Sequence, residues 1–123
     1  MRFAVLFVAL ALASPAFGFT AQNGLIVRSD GASDFTVPWR GKSGPQDFWC
    51  AAGDYAIRAL HLAPTAMIYR ASEPPRRAGE PMTFTLSADR AAASSGLVTL
   101  FDQRPGLTAG HTQSLCEIRR NRR

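Results

Sequence analysis

The chain has 123 residues, of which 46% are hydrophobic and 19% are charged, and its formal net charge is +5. This length and balance are typical of one modest globular domain, and they exclude a fibrous, low-complexity or intrinsically disordered chain. The excess of basic residues is local, because four arginines lie within the last five positions.

The first 18 residues have the layout of a secretory signal peptide. Arg2 supplies the positive start, Phe3–Leu12 is an unbroken apolar stretch, and Pro15 precedes small residues. We expect cleavage after Gly18, with Ala16 as the alternative. The apolar stretch is shorter than the roughly 20 residues that cross a bilayer, and no later stretch approaches that length. We therefore expect a mature chain without a membrane span, in the periplasm or secreted.

The mature chain begins with the pattern of a β-hairpin. Two short β-type runs, Leu25–Arg28 and Phe35–Val37, are separated by a segment that contains Asp30-Gly31. An Asp-Gly pair between apolar runs is a strong turn signal, so it predicts that the two runs pair as antiparallel strands.

A helix is predicted from about residue 45 to His61. Its apolar residues recur at helical spacing and form one buried stripe: Phe48, Ala52, Tyr55, Ala56, Ala59 and Leu60. The opposite, solvent-facing side holds Asp54 and Arg58, which are spaced as an i,i+4 pair. Cys50 lies on the flank between the two sides. Gly53 disfavours a helix by about 1 kcal/mol, so it predicts a close approach by another backbone.

Everything after this helix has the pattern of strands and turns. Strands are predicted at 66–70, 81–87, 96–102 and 112–118, and the second of them alternates most clearly, with Met82, Phe84 and Leu86 on one face. We therefore predict an α+β domain over residues 19–118. It consists of an antiparallel sheet of four to six short strands with one helix packed on one face, in the order β-β-α-β-β-β-β. Residues 119–123 form a basic tail.

The chain has two cysteines, Cys50 and Cys116, separated by 66 residues. An even, sparse cysteine count in an exported chain predicts a disulfide. A loop of this length stabilises the fold by about 4 kcal/mol in the loop-entropy model, before any strain in the native state is subtracted. The disulfide would join the predicted helix to the predicted last strand.

Two chemical alternatives use the same cysteines. A thiolate near a helix start resembles the nucleophile of papain-like hydrolases, and only His111 could then serve as its base, because His61 lies about 16 Å further along the helix. A bonded Cys50 would lack that thiolate. A zinc site is not expected, because Cys50, His61, His111 and Cys116 lack the closely spaced ligand pairs of such sites. No catalytic residue, metal or cofactor is predicted.

Aromatic residues near the start of the helix indicate a surface for binding. We name Phe35, Trp39 and Trp49 as candidates, since one helix and a small sheet cannot bury every aromatic side chain in this region. The tail arginines, Arg119, Arg120, Arg122 and Arg123, are candidates for contact with an anion. Specific nucleic-acid binding is not expected, because no aromatic residues lie between these arginines to stack on bases.

The stretch FWCAAGDYAIRAL, the downstream cysteine and the leader together resemble small uncharacterised secreted proteins of alphaproteobacteria. The resemblance implies a Gram-negative periplasm and no particular activity. We expect a monomeric, non-catalytic binding or accessory module of the cell envelope, whose partner is a protein or an envelope ligand. The alternatives are a cysteine hydrolase that uses Cys50 and His111, and an inhibitor of an envelope hydrolase that presents a loop such as Trp39–Gly44.

Overall fold

The computed structural model describes residues 18–41, 43–97 and 106–120, and of residues 118–120 it describes the backbone alone. The predicted leader up to residue 17, most of the strand predicted at 96–102, and Arg122 and Arg123 therefore lie outside the described residues.

The described part of the chain forms one antiparallel sheet of six short strands in the order β1-β2-β3-β5-β4-β6. The strands are β1 (Phe19–Thr20), β2 (Ile26–Ser29), β3 (Asp34–Val37), β4 (Met67–Arg70), β5 (Met82–Thr85) and β6 (Gly106–Thr108). The described residues also form two α-helices and a short 3₁₀ helix (Ala88–Arg90). The α-helices are α1 (Pro45–Asp54), which continues as a π-helical turn (Tyr55–Ala59), and α2 (Ala109–Arg120). The α+β class and the helix packed on an antiparallel sheet are thus confirmed.

The predicted hairpin and the predicted central strand are both present. Arg28 pairs with Thr36 across β2 and β3, and Phe35 pairs with Phe84 across β3 and β5. Met82 and Phe84 are fully buried on the helix side of the sheet, as the alternation predicts.

The prediction of a last strand at residues 112–118 is wrong, because these residues belong to helix α2. The order predicted for the elements, with one helix, is therefore wrong at this end of the chain, and the short β1 was not predicted. Ala109, Thr112 and Cys116 are buried at helical spacing, but two of them are small and one is polar. Their stripe becomes a packing face only against α1. Gly96 and Leu97, at the start of another predicted strand, lie outside regular secondary structure.

Helix α1 lies between the sheet and α2. Every residue from 48 to 56 is buried, which is typical of a helix covered on both sides. On the sheet side, the ring of Tyr55 lies 4.8 Å from that of Phe35, and the ring of Trp49 lies 4.9 Å from that of Phe84. The indole N–H of Trp49 donates to the carbonyl oxygen of Ser95 at 3.1 Å.

On its other side, α1 meets the backbone of α2 at Gly53. A Cβ built on Gly53 would lie 2.2 Å from Thr112 Oγ1 and 2.5 Å from the backbone nitrogen of Gln113. The predicted close approach of another backbone is confirmed. The Cys50–Cys116 disulfide, with Cα atoms 4.9 Å apart, joins the same two helices. The predicted pairing of the cysteines is therefore correct, but the bond joins helix to helix and not helix to strand.

Asp54 was predicted to face solvent and is fully buried, because α2 covers that side of α1. The predicted pair with Arg58 is present at 2.7 Å. The Asp54 carboxylate also accepts the backbone N–H of Gln22 at 3.0 Å and the side-chain amide of Gln113 at 3.3 Å. One carboxylate thus connects α1, α2 and the segment after β1.

The contact at Gly53 predicts whether a substitution there raises or lowers the stability of the fold. Helix propensity alone makes Gly53→Ala stabilising by about 1 kcal/mol. Because the added methyl group meets backbone atoms of α2, we expect destabilisation by about 2 kcal/mol or more, measured by urea unfolding. Gln46→Ala, at an exposed position of α1, is the control and should change stability by less than about 0.5 kcal/mol. A more stable Gly53→Ala variant would contradict the contact.

The two Asp–Arg pairs among the described residues differ in burial. Their contributions to the free energy of unfolding should therefore differ as well. Asp54→Ala removes a fully buried carboxylate that accepts hydrogen bonds from Gln22, Arg58 and Gln113, and it should cost about 2 kcal/mol. Asp34→Ala removes the half-exposed partner of Arg90 and should cost less than about 1 kcal/mol. Equal losses of unfolding free energy in the two variants would show that Asp54 is not enclosed by α2.

Candidate functional site

The most prominent exposed apolar side chain near the predicted binding residues is Trp39, which is 44% exposed. It lines a concave surface that encloses a volume of about 340 Å³. The residues of this surface, which we call the Trp39 surface, are Ile26, Arg28, Pro38, Trp39 and Arg40.

Strand alternation determines which residues reach this surface. Val27 on β2 and Val37 on β3 are buried on the side of α1. Ile26 and Arg28, on either side of Val27, therefore point to the opposite face of the sheet. Ile26 is 40% exposed there. Trp39 follows β3, where the chain leaves the sheet.

The Trp39 surface carries two positive charges beside its apolar side chains. The guanidinium Nη1 of Arg40 donates to the carbonyl oxygen of Gly24 at 3.3 Å, which holds this side chain across the loop before β2. Neither Arg28 nor Arg40 forms an ion pair with a described residue. Both charges thus remain available to an acidic partner.

The other two aromatic candidates are core residues, and their assignment to a binding surface is corrected. Phe35 is 1% exposed because strand alternation directs it toward α1, where it packs on Tyr55. Trp49 is fully buried, and its N–H is bonded to Ser95. The sequence predicts a core under a single helix, which is smaller than the core observed. The alternation of the first predicted strand already indicates that Ile26 and Arg28 lie on the outer face of the sheet.

The structure does not bring the candidate cysteines and histidines together into a catalytic or metal site among the described residues. Cys50 Sγ is bonded to Cys116 Sγ, so the oxidised chain has no thiolate at this position. His111 is exposed in the first turn of α2, where its backbone N–H donates to Thr108 Oγ1 at 3.2 Å. The described residues contain no cluster of three or more histidine, cysteine or acidic side chains that could hold a metal ion.

The tail candidates are placed only in part. The backbone of Arg119 and Arg120 belongs to the last turn of α2, and the structure does not describe their side chains. Arg122 and Arg123 lie outside the described residues, so their contact with an anion stays a prediction.

Among the described residues, no helix is both long and apolar enough to span a bilayer. Comparison of the chain with protein-family models, with curated proteins and with solved structures finds no match.

Proposed function

We propose that the chain is a non-catalytic binding module of the cell envelope, exported and oxidised, which uses the Trp39 surface to bind an acidic segment of a partner protein. The observation that carries this proposal is the exposure of Trp39 and Ile26 beside two arginines that form no ion pair with any residue the structure describes.

The residue types favour a protein partner. Tryptophan and arginine dominate the binding free energy of protein interfaces, and a concave apolar centre with charges at its edge is the usual arrangement. Sugar sites depend on carboxylate and amide side chains for oriented hydrogen bonds, and the side chains described around the Trp39 surface include none. The ligand that fits is a peptide segment with one large apolar side chain between carboxylates.

The disulfide supports export, because such bonds persist in oxidising compartments. It also supports a non-catalytic role over the hydrolase alternative, which requires Cys50 as a thiolate. The inhibitor alternative would use the loop that contains Trp39. It differs from our proposal only in the identity of the partner.

A defined peptide tests the proposal. We would titrate the mature chain with a short peptide that carries one leucine flanked by glutamates, and with two matched peptides. One of these has lysines in place of the glutamates, and the other has alanine in place of the leucine. The parent peptide should bind at least about 10-fold more tightly than either, because only it satisfies both the charges and the apolar centre.

Substitutions locate the binding site. Trp39→Ala should weaken binding of the parent peptide at least about 10-fold by calorimetry, as expected for an interface anchor. Met67→Ala is the matched control, since Met67 is 38% exposed on β4, away from the Trp39 surface. Equal binding by the two variants, or no preference for the acidic peptide, would overturn the proposal.

A further inference from the structure

The turn that joins β1 to β2 contains an asparagine followed by a glycine, Asn23-Gly24. The backbone N–H of Gly24 donates to the carbonyl oxygen of Ala21 at 2.9 Å, and this hydrogen bond closes the turn. Gly24 has a φ of +85°, a left-handed conformation that glycine adopts without steric strain. The fold therefore favours a glycine directly after Asn23.

This pair of residues is chemically reactive. Asparagine is one of the thermally labile residues of proteins, and it reacts fastest when a glycine follows it, because no side chain shields the next backbone nitrogen. That nitrogen attacks the side-chain carbonyl carbon. A bond forms from the nitrogen to Cγ, the Cγ–Nδ2 bond breaks, and Nδ2 leaves as ammonia with the proton of the attacking N–H. Water then opens the cyclic imide at either carbonyl group, which gives aspartate or its β-linked isomer, isoaspartate.

In the folded chain, hydrogen bonds hold both reacting groups. The side-chain amide of Asn23 donates to the carbonyl oxygen of Asp47 at 2.8 Å and accepts the backbone N–H of Leu25 at 3.2 Å. The attacking N–H of Gly24 is itself the donor to Ala21. Attack brings Asn23 Cγ onto the Gly24 nitrogen and releases its proton, so it requires these hydrogen bonds to open first.

Two contacts with more distant residues keep the turn closed. The backbone N–H of Gln22 donates to the buried carboxylate of Asp54 at 3.0 Å. The carbonyl oxygen of Gly24 accepts the Nη1 donor of Arg40 at 3.3 Å. The first contact joins the turn to α1, and the second joins it to the Trp39 surface. Opening of the turn is a local event that requires less free energy than unfolding of the whole domain.

We infer that Asn23 is a modification site controlled by the fold, which stays an amide while the turn is closed and becomes isoaspartate or aspartate when the turn opens. The product disfavours reclosure, because a carboxylate oxygen replaces the amide donor opposite the carbonyl oxygen of Asp47. Isoaspartate also lengthens the main chain by a methylene group just before Gly24, whose carbonyl oxygen holds Arg40. The modification therefore changes the loop beside the Trp39 surface, but it does not depend on the function proposed for that surface.

Peptide mapping by mass spectrometry tests this inference. The mature, oxidised chain is incubated at mildly alkaline pH with and without urea, and isoaspartate and aspartate are followed at Asn23. Asn23 should convert at least about 10-fold more slowly in the folded chain, because only molecules with an open turn react. Asn121 precedes Arg122 and is the internal control. In urea it should convert more slowly than Asn23, since a side chain shields the nitrogen that follows it.

Substitutions test whether the contacts of the turn control the reaction. Arg40→Gln removes the donor to Gly24 and should raise the conversion rate of Asn23 in the folded chain at least about 2-fold. Arg77→Gln is the matched control, because it loses the same charge from an exposed loop and should leave the rate unchanged. Equal rates of conversion at Asn23 with and without urea, or equal rates in the two variants, would overturn the inference.

Discussion

The packing of α2 against α1 at Gly53 is the contact on which the rest of the structure depends. The missing side chain at Gly53 lets the two backbones come close enough for the Cys50–Cys116 disulfide to form one turn away. A crosslink over 66 residues stabilises a small domain by about 4 kcal/mol in the loop-entropy model. That is a large share of the typical total of about 5 to 15 kcal/mol.

This contact also explains why a charged residue is tolerated at the centre of the domain. Asp54 lies beside Gly53, and α2 removes its carboxylate from water. The free energy of that burial is offset because Gln22, Arg58 and Gln113 all donate to the carboxylate. The hydrogen bonds of Asp54 help to align α1 with α2, while the apolar side of α1 packs on the sheet.

The Trp39 surface lies outside this helix pair and depends on it for support. The Trp39 surface begins where β3 ends, on the face of the sheet that α1 leaves uncovered. Arg70 and Arg76 lie closer to the core. The ring of Phe48 on α1 contacts Arg76, and the carbonyl oxygen of Ser95 accepts hydrogen bonds from both Trp49 and Arg70. Helix α1 therefore helps to position these two arginines directly and the Trp39 surface through the sheet.

Local patterns in the sequence predicted the features that depend on local chemistry. The Asp-Gly turn indicated the hairpin, alternation around Phe84 indicated the central strand, and the glycine inside a helix indicated a close backbone contact. Helix α2 could not be predicted in this way, because its buried stripe of Ala109, Thr112 and Cys116 is weakly apolar and gains its meaning only from α1.

Local patterns are also a limited guide to the candidate functional residues, because they do not reveal how large the core is. Trp39 is exposed, as expected for a candidate binding residue, whereas Phe35 and Trp49 are buried because the core is larger than the sequence predicts. Arg70 had a usable signal. It alternates in phase with buried Ile68 along β4, so strand periodicity alone places it on the inner side of the sheet.

Nuclear magnetic resonance of the oxidised chain tests the helix contact most directly. Because α2 is helical and packs on Gly53, residues 109–120 should show helical carbon chemical shifts, and nuclear Overhauser contacts should join the α-protons of Gly53 to the amide proton of Gln113. Extended-strand shifts at residues 112–118, with no contact between Gly53 and Gln113, would contradict it.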